Sequence, residues 1–213
     1  MKNFPISLII IFLIFIEVMT GCAKLERAYP ERNFYMLNFS RNSDLKTSIR
    51  HKDKILVVNR FSVSPGSIGA EFTYRVGEES YKSDFYNQFF RPPGALISEE
   101  VRRWFIDSKL FQYVLYSSPS DTKPDYLLDG NINELYGDFR EGSKPKAVLG
   151  IQCFLTDQQK SPAKIIFYRN YRKEILIGSN SPRDLVQGWN EALTQILTEL
   201  DRDLSQINLQ VSN

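Results

Sequence analysis

The chain carries a single histidine, His51, and only two cysteines, Cys22 and Cys153, in 213 residues. So few imidazole and thiol groups rule out the paired Cys/His patterns of structural zinc sites. No glycine-rich phosphate loop or dinucleotide fingerprint is present either. Charge of neither sign dominates, with 27 Lys and Arg against 25 Asp and Glu and a formal charge of +2. Without a clustered basic face, the electrostatic footprint of a nucleic-acid binder is missing. Long apolar runs are also lacking. A membrane-spanning helix needs about 20 apolar residues, whereas the stretch from Phe4 to Ile16 contains Pro5 and Ser7 and is followed by Glu17.

That short apolar stretch has another meaning. Lys2 supplies a positive start, Ile6 to Val18 an apolar centre, and small residues its end, which is the pattern of a secretory signal. The closing tetrapeptide Met19-Thr20-Gly21-Cys22 resembles a lipobox. Cleavage there removes residues 1–21 as a signal peptide and leaves Cys22 to carry a diacylglycerol on sulfur and a third acyl chain on its amine. At about 0.8 kcal/mol per buried methylene, several chains on one residue hold a protein firmly at a membrane. Ala23, where enteric lipoproteins kept at the inner membrane have Asp, favours by that resemblance the outer membrane, facing the periplasm. With Cys22 acylated, Cys153 has no disulfide partner.

Residues 22–32 are polar and read as a tether, 33–207 as one α/β domain, and 208–213 as a short tail. A strand is expected over Phe34–Phe39. Lys54–Val63, apolar at both parities through Ile55, Leu56, Val57 and Val58, is expected as a strand covered on both faces and as the candidate sheet centre. Short strands over Glu71–Arg75 and Glu79–Lys82 follow, separated by Gly77. Pro92-Pro93-Gly94 precedes a helix with Ile97, Val101, Trp104 and Phe105 on one stripe and a Glu99/Arg103 pair on the other side. Phe111–Tyr116 reads as a strand. Tyr126–Phe139, Ala147–Asp157 and Lys164–Ile177 read as an antiparallel meander turned at Gly142-Ser143 and Lys160-Ser161-Pro162. Ser181, Pro182 and Asp184 open a long helix as cap, first helical residue and capping-box acid. Leu185, Trp189, Leu193, Ile196, Leu200 and Leu204 form its apolar stripe, and Leu197 lies off it as a possible second contact surface.

Leads to chemistry fail one by one. His51 lies in the charged run Arg50-His51-Lys52-Asp53-Lys54, so a Ser-His-Asp triad would need a solvated loop as its base. Asp129-Gly130-Asn131-Ile132-Asn133 opens like a calcium loop, but its sixth position is Glu134 instead of Gly and its twelfth Arg140 instead of Glu. Asp129, Asn131 and Asn133 instead alternate with apolar residues, as on the solvent face of a strand. Asp125 and Asp129 share that face at about 13 Å, four strand residues apart. Glycoside hydrolysis needs roughly 5 to 9.5 Å. Glu99 and Glu100 diverge on their helix. Cys153 falls in step with Leu149, Ile151 and Leu155 and reads as a core thiol. No catalytic residue, metal site or cofactor is expected.

Aromatic residues crowd the region from Phe72 to Phe90: Phe72, Tyr74, Tyr81, Phe85, Tyr86, Phe89 and Phe90. In Ser83-Asp84-Phe85-Tyr86-Asn87-Gln88-Phe89-Phe90 they are too dense for one strand face. They either cap one end of the core or form a partner or lipid surface. Phe85, Tyr86, Phe89 and Phe90 are the candidates for that surface.

Several runs, taken in order, resemble the ABC-type transport auxiliary lipoprotein family, partners of paraquat-inducible and related mammalian-cell-entry (MCE) systems. They are Phe34-Tyr35-Met36-Leu37, Ile55 to Pro65 with Arg60-Phe61-Ser62-Val63, and Phe72-Thr73-Tyr74-Arg75 leading to Asp84-Phe85-Tyr86-Asn87-Gln88-Phe89 and Pro92-Pro93. Trp104 to Val114, Pro124-Asp125-Tyr126-Leu127-Leu128-Asp129-Gly130 and Ser181-Pro182 with the final helix complete the match. The resemblance implies an anticodon-binding-like α/β domain, a mixed, largely antiparallel sheet under two main helices, without catalysis. It implies an MCE-domain periplasmic partner, an ABC permease where one exists, and movement of lipid or other hydrophobic cargo between membranes. A homo-oligomer is compatible with it. An expectation of a different class is a lipoprotein regulator of envelope assembly, such as an activator of a peptidoglycan synthase.

Overall fold

A computed structural model describes residues 31–38, 51–64, 69–117 and 123–207. The proposed signal peptide, Cys22 and the tail 208–213 lie outside the described residues, as does the tether before Glu31. The compact unit holding the domain begins at Arg32. Its strands are β1 (Asn33–Tyr35), β2 (His51–Val58), β3 (Ser62–Val63), β4 (Glu71–Arg75), β5 (Tyr81–Phe89), β6 (Phe111–Leu115), β7 (Tyr126–Asp138), β8 (Lys146–Asp157) and β9 (Lys164–Leu176). Helix α1 spans Pro93–Ser108 and α2 spans Pro182–Gln206.

Among the described residues, nine strands join one mixed sheet with two helices packed on it. β7, β8 and β9 form the expected antiparallel meander, in register along almost their whole lengths. Gly142 takes a left-handed φ of 76° in the first of its turns, a conformation that glycine adopts without steric cost. The other edge of β7 is shared. Its first residues pair in parallel with β2, its middle with β3, and its last two with β4. From there the sheet forks, β2 leading to β6 and β4 leading through β5 to β1. The strand at the centre is therefore β7, and β2 stands one place from an edge.

β2 is nonetheless buried on both faces through Leu56, Val57 and Val58, as its two-parity apolar run requires. The expected single strand over Lys54–Val63 breaks at Asn59–Phe61. There the Phe61 N–H donates to Ser98 Oγ at 2.7 Å and its ring is buried. The ring lies against Gly130, where an added Cβ would come within 2.3 Å of it. His51 is the larger correction, since it begins β2 in the core instead of sitting in a solvated loop. Its ring centroid is 5.0 Å from that of Phe111, and Nε2 is 3.4 Å from the Leu204 carbonyl oxygen. Asp53, two residues on, stays exposed; it takes a positive φ of 63°, and the register with β6 shifts between His51 and Ile55. The first strand is shorter than expected, ending at Tyr35, while β5 runs on to Phe89.

Helix α1 buries Ile97, Val101, Trp104 and Phe105. Its ion pairs are Glu99 with Arg102 and Glu100 with Arg103, each three residues apart, in place of the expected Glu99/Arg103 pair. In α2 the expected stripe is entirely buried, and Leu197 joins the same core instead of facing a second surface. Ser181 Oγ accepts the Asp184 N–H at 3.1 Å. The return half of the capping box runs through Ser179, whose hydroxyl donates to Asp184 and accepts the Ser181 N–H. On β8, Ala147, Leu149, Ile151, Cys153 and Leu155 are all buried beneath α2.

Candidate functional site

The crowded aromatic run resolves into a bulge. Phe72 of β4 pairs with Asp84 of β5, but Glu71, one step along, pairs with Gln88. Phe85, Tyr86 and Asn87 are thus extra residues with no partner on β4. A bulge of this kind re-aims side chains and leaves the ladder intact on either side. The ladder resumes where the Phe89 N–H donates to the Ala70 carbonyl at 2.7 Å. On the far side, β1 closes on the resumed strand, with Phe34 opposite Gln88 and Tyr35 opposite Phe89.

One carboxylate organises the excursion. Asp84 Oδ1 accepts the N–H groups of Tyr86 and Asn87 at 2.9 and 3.2 Å. Its Oδ2 accepts the Tyr74 hydroxyl and the Asn87 side-chain amide, both at 2.7 Å. Partial burial pushes the Asp84 carboxyl up, but these hydrogen bonds together hold it below the usual carboxylate range. Burial and the bond to Asp84 push the Tyr74 phenol well above its ordinary value. Asn87 passes the network on to β1, its Oδ1 accepting the Tyr35 hydroxyl at 3.1 Å. The Gln88 side-chain amide donates to the Phe85 carbonyl at 2.8 Å, closing the bulge from its other end.

The four aromatic residues expected at a contact surface divide. Phe85, Tyr86 and Phe90 are exposed by 53, 42 and 63 %. Phe89 is 2 % exposed and belongs to the core. Its ring centroid lies 4.7 Å from that of Phe72 and 5.3 Å from that of Trp189. As Phe89 is regular strand just past the bulge, it points inward, and the surface loses it. Sequence reasoning had not assigned Phe34 and Met36 to this surface, yet both are exposed beside it. The Phe34 ring meets Phe90 edge-on with centroids 6.4 Å apart. Phe85 and Tyr86 meet likewise at 5.4 Å, and the Arg32 guanidinium sits 3.8 Å over the Phe85 ring centroid. β1 joins the two pairs, since Arg32 and Phe34 are two residues apart. The signal in the sequence was the alternation in Phe34-Tyr35-Met36-Leu37, whose members at one parity turn outward and at the other inward.

The remaining leads stay apart from one another. Asp125 accepts from Lys54 and from the Ile55 N–H, which makes it a strand-pairing residue. Asp129 accepts from Asn59, and Asn131 hydrogen-bonds Ser62 and Ser64. Burial pushes the Cys153 thiol up to about 12, far from a reactive thiolate. A groove of about 500 Å³ beside the edge strand β6, lined by Ile106, Lys109 and Phe111 to Leu115, contains no acid or histidine. Among the described residues no group of three or more His, Cys, Asp or Glu side chains is placed to hold a metal ion. Among those residues, too, no helix is long and apolar enough to cross a membrane.

No protein-family model matches the sequence, and no curated protein matches it. Solved structures do. A Xanthomonas campestris protein of the DUF330 family superposes with a TM-score of 0.65 at 18% identity, covering 79% of this chain and 92% of its own. A second structure, of an uncharacterized protein, superposes with a TM-score of 0.64 at 12% identity, covering 82% of this chain and 99% of the other. At such identities the likeness is one of fold: a single α/β domain built on one mixed sheet with two helices.

Proposed function

We propose that this chain is a lipoprotein held by Cys22 at the outer membrane, facing the periplasm, and that it is a non-enzymatic auxiliary of an ABC/MCE-type intermembrane lipid transport system. Its work is binding and positioning. The observation that carries the reading is the bulge built from Asp84-Phe85-Tyr86-Asn87-Gln88-Phe89, one of the runs on which the family resemblance rests. An ordinary hairpin would hide or omit such residues. Here a polar network of Asp84, Tyr74, Asn87 and Tyr35, with Gln88 bonded separately to the Phe85 carbonyl, holds two aromatic rings in water. Exposed apolar surface maintained by specific hydrogen bonds marks a contact site.

The test is purification of the intact lipidated protein from its native membranes in mild detergent, with mass spectrometry of what accompanies it. An MCE-domain protein, with or without an ABC permease, is the expected companion. Enrichment of a peptidoglycan synthase without any MCE-domain protein would replace this reading by the envelope-assembly one.

A further inference from the structure

The geometry points to the face formed by Phe34, Phe85, Tyr86 and Phe90 as a bilayer-contact surface, which seats the domain against the headgroup region of the membrane that Cys22 anchors. The inference rests on the lipid-anchor reading and goes beyond it, because an anchor alone leaves the orientation of the domain open.

Three observations lead there. The first is chain length. Cys22 and Arg32 are ten residues apart, so even a fully extended tether reaches no more than about 35 Å. The second is where that tether enters. Arg32 stacks on Phe85, so the chain joins the domain inside the aromatic face and not on the side away from it. A tether entering there holds the acylated residue within about 35 Å of this face. The third is composition. Phenylalanine and tyrosine rings flanked by basic side chains suit an interface where apolar bodies meet acyl chains and polar tips stay with the headgroups. Arg32 and Arg91 are exposed, the first over the Phe85 ring and the second next to Phe90 in sequence, with the exposed acid Glu31 preceding Arg32. Asp84, the acid at its centre, is fully engaged by its four hydrogen bonds.

Native fluorescence makes the test clean. Both tryptophans, Trp104 and Trp189, are fully buried, so their emission is a constant background to quenchers in water or lipid. Three variants of the lipidated protein, F85W, F90W and Y113W, are reconstituted in vesicles of phosphatidylethanolamine and phosphatidylglycerol containing a spin-labelled lipid. Tyr113 is exposed on the edge strand β6 and serves as the distant control. Mass spectrometry of the N-terminal peptide is read on the same samples. With Cys22 acylated, the expected result is a blue shift and strong lipid quenching of the added emission in F85W and F90W, and none in Y113W. Equal quenching of all three, or of none, would overturn the proposal while leaving the anchor in place. If F85W emission is instead shielded only when an MCE-domain protein is added, the face is a protein interface and the bilayer assignment falls. An unacylated Cys22 would overturn this inference and the anchored-auxiliary reading together.

Discussion

The Tyr74 hydroxyl donates to the Asp84 carboxylate at 2.7 Å, so a residue of β4 holds the turn through which its neighbour β5 leaves the ladder. Replacing Asp84 by Asn keeps the shape but removes the charge. A hydrogen bond to a charged group contributes about 1.5 to 3 kcal/mol, and a loss in that range in urea unfolding is the expected cost of D84N. The pH dependence has a definite sign. Because the folded carboxyl is held below its unfolded value, its contribution is complete above the unfolded pKa of about 3.9. It is lost as the pH falls through the lower folded value. The stability gap between wild type and D84N must therefore close in acid; a gap unchanged down to the acid transition would show that the charge of Asp84 does not matter.

Neighbouring aromatics should behave in opposite ways. Phe89→Ala empties a site walled by Phe72 and Trp189 and should cost about 3 to 5 kcal/mol. Phe85→Ser, at an exposed position, should leave stability within about 0.5 kcal/mol while weakening whatever the face touches. Chemical denaturation of the two variants side by side decides this, and comparable losses would contradict the division of the surface.

Gly188 lies inside α2, where alanine ordinarily stabilises a helix by about 1 kcal/mol. Here a Cβ would come 2.6 Å from Ala147 Cβ and 2.7 Å from Ile177 Cγ2. Overpacking costs typically about 1 to 3 kcal/mol, so the clash outweighs the propensity. Gly188→Ala should lower the melting temperature, and a rise would mean that α2 can lift from β8 cheaply.

Cys153 is buried with its thiol pushed up to about 12. A maleimide at neutral pH should leave it unmodified in the native protein and react fully in denaturant. Rapid native labelling would require α2 to open readily from the sheet.

Much of the architecture was legible in the residues. The meander over β7 to β9 was visible because each strand is long, alternates cleanly and is bounded by turn residues such as Gly142. The terminal helix was visible because its leucines and Trp189 recur at helical spacing behind Ser181-Pro182. What stayed hidden depended on partners distant in sequence. β2 looked central because it is apolar at both parities, yet any strand with covered faces looks so, and only pairing to β7 decides its place. His51 looked solvated because its neighbours are charged, and the register shift between it and Ile55 leaves no mark in hydropathy. The candidate face was legible as a crowding of aromatics but not as a division of them. The inward turn of Phe89 follows from the three-residue excursion that Asp84 supports, and Phe34 joins the face through parallel pairing of β1 across more than fifty residues.

The fork at β7 has a consequence for the order of assembly. Among the described residues, the strands made before β7 pair as two ribbons, β2 with β6 and β1 with β5 and β4, which have no strand in common. Among the described residues β3 pairs with β7 alone. Contacts such as Ile55 with Asp125 close loops of about seventy residues, and such closures are slow compared with the local hairpins of the meander. A chain emerging from its N-terminus therefore holds more than half its length as separate, open-edged pieces until one strand arrives to unite them. The interval before β7 is when this protein has most need of protection from its neighbours.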